Sequence, residues 1–115
     1  MVSLTACHKK MAQTKDPEAN YVASYKSLAK KMGRKHGIPP SILLAQAAIA
    51  SKNGTTEMAG SAHNHFAIKC DRFYHGPTWY SKKGGINECY RKYKSVSAGY
   101  KDHCRLIGQD KRFKK

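Results

Sequence analysis

The sequence is short of acid. Seven Asp and Glu stand against twenty-two Lys and Arg in 115 residues, a formal charge of +15. Such an excess creates a positive field that concentrates anionic polymers, so nucleic acid, teichoic or other acidic cell-wall polymers and anionic lipid are all candidate partners. Long apolar runs are also missing. No stretch approaches the ~18 residues that a membrane-spanning helix requires, and none is expected. Four Cys and six His are present, yet neither C-x-x-C nor H-x-x-x-H spacing occurs. No metal site and no cofactor are therefore expected. Internal repeats and low-complexity tracts are absent. The most informative absence is local: Ile38 to Gly54, IPPSILLAQAAIASKNG, carries no carboxylate at all.

What is present suits one small domain. Residues 1–15 are polar and aperiodic and read as a tether. Asp16-Pro17-Glu18 opens a helix, since Asp caps, Pro suits the first turn and Glu favours the positive end of the dipole. Tyr21, Val22, Tyr25, Leu28, Ala29 and Met32 then recur at three- and four-residue steps as one apolar stripe, and Gly37 closes the helix. Pro40 to Lys52 is apolar nearly all round and is predicted to be the buried central helix, with Gln46 its lone interior polar residue. A short helical turn over 56–62, capped by Thr55, takes Glu57 as a first-turn charge. Segments 64–69, 78–80 and 88–93 carry aromatic and β-branched residues between Gly and Pro breakers and read as a small antiparallel region. Ser97 to Ile107 is a last helix with Tyr100, Cys104 and Ile107 on one face. The basic residues 109–115 form a tail.

Two stretches carry a resemblance. IPPSILLAQAAIASKNG, followed by HNHFAIKC from His63 to Cys70, resembles the endo-beta-N-acetylglucosaminidase domain of bacterial autolysins and flagellar muralytic enzymes (glycoside hydrolase family 73). The signature of that family reads roughly I-P-x-S-x-x-L-A-Q-x-x-x-E-S-x-x-G and then N-x-F-G-I-K. The resemblance spans about residues 18 to 108 and implies a lysozyme-like fold for residues 16–108: α+β, mostly α, with a buried central helix and a small β-hairpin region. Pattern alone implies only a mostly helical α+β domain.

The family position of the catalytic Glu falls on Ala50. Cleaving a glycosidic bond needs a carboxylic acid to protonate the leaving oxygen, and a methyl group cannot donate a proton. Losing that acid removes a factor of roughly 10² to 10⁴, so the chain is expected to be inactive or nearly so. Glu88 lies near the family separation for a second carboxylate; a solvent-facing strand Glu paired with Lys is the competing reading. The resemblance assigns substrate contacts to Gln46, Asn64, Phe66 and Lys69, with Ala67 replacing the family Gly. Trp79 and Tyr80 are the preferred stacking faces for sugar rings, with Tyr74 and Tyr93 further candidates. The resemblance also implies a Cys70–Cys89 disulfide, contributing roughly 3 kcal/mol through the unfolded state and implying an oxidising compartment. Cys104 is then a spare thiol. The family continues beyond the equivalent of Lys115, so a missing closing segment is a second expected obstacle to turnover.

The expected function is recognition of peptidoglycan glycan strands by a monomeric domain, secreted, periplasmic or held at a bacterial cell envelope. Other anionic wall polymers remain candidate partners. Two origins of Ala50 stay open: a natural pseudoenzyme, or a replacement made in an active parent. Leu4-Thr5-Ala6-Cys7 resembles a lipobox, and only Met1 to Ser3 precede it. A shortened lipoprotein start and a chance pattern are both open, and lipid at Cys7 is the one membrane attachment expected. The alternative function is a basic binder of nucleic acid or another anionic polymer without enzymatic activity, for which no recognised nucleic-acid motif is present.

Overall fold

The computed structural model describes residues 15–82 and 85–109. The lipobox-like residues 4–7, with Cys7, and the tail beyond Gln109 lie outside them. Four helices and one hairpin follow in order: α1 Pro17–His36, α2 Pro40–Ser51, α3 Glu57–Ala62, β1 Thr78–Ser81, β2 Glu88–Arg91 and α4 Val96–Gln109. No helix among the described residues is long and apolar enough to cross a membrane.

The helix ends follow local chemistry. Asp16 accepts from the Glu18 and Ala19 amides at 3.0 and 3.3 Å, and Gly37 closes α1 in the left-handed region at φ 72°. Thr56, not Thr55, caps α3, accepting from the Ala59 amide at 3.1 Å. The Thr55 hydroxyl is already committed, donating to the Lys52 carbonyl at 2.7 Å. At the end of α2 the buried Ser51 hydroxyl donates to the Ala47 carbonyl at 2.6 Å and accepts from the Gly54 amide at 2.8 Å. It thereby latches a turn in which Lys52, Asn53 and Gly54 all have positive φ.

The core lies between α1, α2 and α4. Tyr21, Ala29 and Met32 of α1 meet Leu43 and Ala47 of α2 and Tyr100 and Cys104 of α4, with Tyr25, Leu28 and Phe66 packed against them. Cys104 is a free, buried thiol. Inside this core the Tyr21 hydroxyl hydrogen-bonds to both His65 Nδ1 at 2.7 Å and the Tyr100 hydroxyl at 2.8 Å. Burial, reinforced by the neighbouring His63, lowers His65 to about 4, so it is neutral at pH 7. Burial also pushes Tyr21 up to about 12 and Tyr100 further up. Helix α2 departs from the expectation of burial all round. Its buried line is Leu43, Ala47 and Ser51, whereas Ile42 is 48% and Ile49 79% exposed. A helix packed against a neighbour on one side buries one stripe, however apolar its other faces are.

Residues 64–69 also differ from expectation, forming a side-chain-clamped loop with one isolated bridge, Lys69 to Tyr90, in place of a strand. Asn64 is 1% exposed and uses its whole amide: Nδ2 donates to the Ile68 and Arg91 carbonyls, and Oδ1 accepts from the Ile68 amide. Ala67 sits within this loop at φ 53°. A non-glycine residue in the left-handed region costs on the order of 1 kcal/mol, part of which glycine returns through a freer unfolded chain. Ala67→Gly is accordingly expected to stabilise the domain by about 0.5–1 kcal/mol, read as a higher urea midpoint. An unchanged or lower midpoint would mean that the loop already absorbs the strain.

Candidate functional site

The hairpin defines one wall of the site. Its antiparallel register pairs Thr78 with Arg91, Trp79 with Tyr90, Tyr80 with Cys89 and Ser81 with Glu88. Because strand side chains alternate, Trp79, Ser81, Glu88 and Tyr90 share one face, and Tyr80, Cys89 and Arg91 the other. The Trp79 and Tyr90 rings lie 6.2 Å apart as a cross-strand pair, within the range where aromatic pairs attract. The Cys70–Cys89 disulfide ties the hairpin to the preceding loop, joined there by the hydrogen bond from the Cys70 amide to the Cys89 carbonyl.

Arg91 anchors the hairpin to the helices. Its guanidinium is nearly buried, donating to the Lys69 carbonyl at 3.0 Å, Asp102 Oδ2 at 3.0 Å and Asp71 Oδ2 at 3.1 Å, with the Tyr74 ring 4.6 Å away. Asp102 of α4 also accepts from the Tyr93 hydroxyl at 2.6 Å and from Arg105. Burial alone would raise the Asp102 carboxyl, but the Tyr93 and Arg105 hydrogen bonds and the charges of Arg105 and Arg91 hold it below its ordinary value. Burial and the bond to Asp102 push the Tyr93 hydroxyl well up. Gly99 permits the close seating of α4, since a Cβ there would meet the His63 carbonyl at 2.8 Å.

Helix α3 packs against β1 and supplies the opposite wall. Between them opens a cleft of about 630 Å³ lined by Thr56, Glu57, Met58, Trp79, Tyr80, Ser81, Lys82 and Tyr90. Flat aromatic faces, one acid, one base and hydroxyls in a single open groove suit a polar ring-shaped ligand with apolar faces. Among the described residues no group of three His, Cys, Asp or Glu could hold a metal ion.

The residues singled out from sequence divide accordingly. Trp79 and the half-exposed Tyr80 both line the cleft as neighbours on β1, although their side chains leave opposite faces of the hairpin. Ala50 lies half-buried in the last turn of α2 and is not among the lining residues. Glu88 shares the Trp79–Tyr90 face but pairs with Lys69 at 3.5 Å, both side chains largely exposed. Gln46 Oε1 meets His103 Nε2 at 3.0 Å, and burial lowers that histidine to about 4 against the opposing pull of Asp102. Phe66 stacks on the His103 ring at 3.8 Å and edges onto Tyr100. Asn64, Tyr74 and Tyr93 spend their polar groups internally, on the loop, the Pro77 carbonyl and Asp102 respectively. In this structure these side chains are engaged with other parts of the protein and lie outside the residues lining the cleft.

Of the eight cleft residues, only Trp79 and Tyr80 stand out from sequence as binding candidates; Thr56, Glu57, Met58, Ser81, Lys82 and Tyr90 do not. From sequence Glu57 reads as a first-turn helix charge in preference to a substitute for the missing acid, and it does lie in the first turn of α3. Tyr90 becomes visible only with the hairpin register, which sets it opposite Trp79. Arg91 carries no signal in a chain with twenty-two Lys and Arg.

Known proteins share this architecture. The catalytic domain of the autolysin Auto from Listeria monocytogenes superposes with a TM-score of 0.66 at 26% identity, over 93% of this chain and 67% of that one. The peptidoglycan hydrolase of Sphingomonas sp. A1 gives 0.72 at 25% identity, over 83% and 64%. The fold is lysozyme-like, mostly helical with one small antiparallel hairpin, as the resemblance implied. In sequence, the peptidoglycan hydrolase FlgJ of Vibrio parahaemolyticus is 28% identical over 109 residues, covering 85% of this chain. The chain spans about a third of the length of that relative, 35%. With residues 26–115 matching the model of the glucosaminidase family, described as mannosyl-glycoprotein endo-beta-N-acetylglucosaminidase, the chain belongs to that family.

Proposed function

We propose that this domain binds the glycan strands of peptidoglycan in the cleft between α3 and the hairpin, and that hydrolysis is silent or nearly so because Ala50 stands where the family acid belongs. The carrying observation is the Trp79–Tyr90 strip facing Glu57 and Met58 across an open groove. A sugar ring stacked on Trp79 buries the apolar face of the ring and leaves its rim hydroxyls to polar neighbours. Family membership supports a glycoside hydrolase descent, and relatives named as peptidoglycan hydrolases support the polymer. The Cys70–Cys89 bond supports an oxidising compartment such as the cell envelope.

Removing the stacking face tests this reading. Trp79→Ala is expected to weaken retention on purified sacculi by roughly tenfold or more, measured by co-sedimentation. Retention unchanged in the variant, or steeply salt-dependent binding of duplex DNA with no retention on sacculi, would transfer the assignment to a polyanion binder driven by the charge of +15.

A further inference from the structure

Six of the seven acids fall in described segments. Asp16 caps α1, Glu18 lies in the first turn of α1, Asp71 and Asp102 hold Arg91, and Glu88 pairs with Lys69. Glu57 makes no ion pair or side-chain hydrogen bond among the described residues, despite the large surplus of cations, and it lines the aromatic cleft. Glu57 occupies the first turn of α3 as Glu18 occupies that of α1, but of the two only Glu57 lines the aromatic cleft. Across the groove the same cleft is lined by one cation, Lys82, which follows directly on β1.

An ionised carboxylate accepts hydrogen bonds and donates none, so Glu57 favours a ligand edge made of donors and rejects a carboxylate. The two sugars of a peptidoglycan strand differ in that respect. N-acetylglucosamine presents hydroxyls and an acetamido N–H, whereas N-acetylmuramic acid replaces one hydroxyl with a lactyl ether, whose carboxylate is free wherever the stem peptide has been removed. On the basis of the glycan-binding reading above, we propose that Glu57 makes the α3 side of the cleft a subsite for N-acetylglucosamine stacked on Trp79, while Lys82 receives the lactyl carboxylate of the adjoining N-acetylmuramic acid. The opposite charges then set the direction in which an alternating strand lies in the groove.

Trp79 is the only tryptophan, so its fluorescence reports on this cleft alone. Affinities would be measured for chitotetraose, which is uniformly N-acetylglucosamine, and for the peptide-free tetrasaccharide that alternates the two sugars. Glu57→Gln keeps size and one acceptor but loses the charge. It is expected to weaken chitotetraose about five- to tenfold and to narrow the preference for chitotetraose over the alternating oligomer. Lys82→Gln is expected to widen that preference by a similar factor. Calorimetry on Trp79→Ala separates the two levels of the argument. If Trp79→Ala loses affinity while Glu57→Gln keeps both affinities within twofold, the subsite assignment fails and glycan binding stands. If Trp79→Ala itself binds both oligosaccharides like the parent, the glycan reading fails and the subsite falls with it.

Discussion

On the proposed function, replacing Ala50 by Glu should raise the release of reducing ends from purified peptidoglycan by at least ~10² over the Ala50 parent. The argument starts from the end of α2. Ser51 is buried, and its hydroxyl latches the Lys52–Asn53–Gly54 turn, so position 50 has a defined direction. The residue there is half-buried at the C-terminal end of an apolar helix. Partial desolvation and the negative end of the helix both disfavour a carboxylate anion, and both therefore raise the pKa of an introduced Glu, as a general acid requires. Glu88 sits on the hairpin and pairs with Lys69 at 3.5 Å, both side chains largely exposed. The same effects carry a structural cost, so the variant should be slightly less stable than the parent. If Ala50→Glu folds and releases no more reducing ends than the parent, the missing acid is not what silences the domain, and the proposal that Ala50 is the lesion falls.

The second large effect concerns the scaffold. Arg91→Met should destabilise the domain by about 3 kcal/mol or more, because removing one partner of a buried pair strands the charge of the other. Asp102 carries most of that cost, since its side chain is only 16% exposed, whereas that of Asp71 is 54% exposed and retains water. For a domain of this size such a loss lowers the thermal midpoint by more than ~10 °C. Arg91→Lys keeps the charge but cannot reach the Lys69 carbonyl, Asp71 and Asp102 together, so it should fall between the two. The acid limb of stability provides an independent reading. The folded-state pKa of Asp102 lies below its unfolded value of 3.8. Its contribution is therefore complete above that pH and is lost as pH falls below it. Arg91→Met should flatten this limb. A midpoint within a few degrees of the parent would mean that Arg105 and Tyr93 suffice to hold Asp102.

Much of this architecture is legible in one dimension because it depends on near neighbours. Asp16, Pro17 and Gly37 act within a few residues of themselves, so the bounds of α1 follow from their order. The stripe of Tyr21, Ala29 and Met32 follows from helical periodicity, and the Cys70–Cys89 bond and the lysozyme-like fold followed from the family resemblance. The failures have a common cause. Apolar composition suggested burial around all of α2, but burial depends on how many elements surround a helix, and Ile42 and Ile49 face outward. The stretch 64–69 has strand-like composition, yet the Asn64 side chain captures the backbone groups a strand would have offered to a partner.

The candidate site divides along the same line. Sequence alone determined that α2 carries no carboxylate, that the chain is strongly basic and that Trp79 and Tyr80 sit together in a turn-rich region, since these are facts of composition and adjacency. Only the tertiary structure decided that Tyr90 opposes Trp79, that Glu57 joins them from a separate helix, and that Asn64 and Tyr93 are consumed by internal hydrogen bonds. The physical reason is that a cleft is a relation between elements. Whether a polar side chain meets a ligand or a neighbour depends on strand register, and on the seating of α3 against β1 and of α4 against the hairpin, which no single segment encodes.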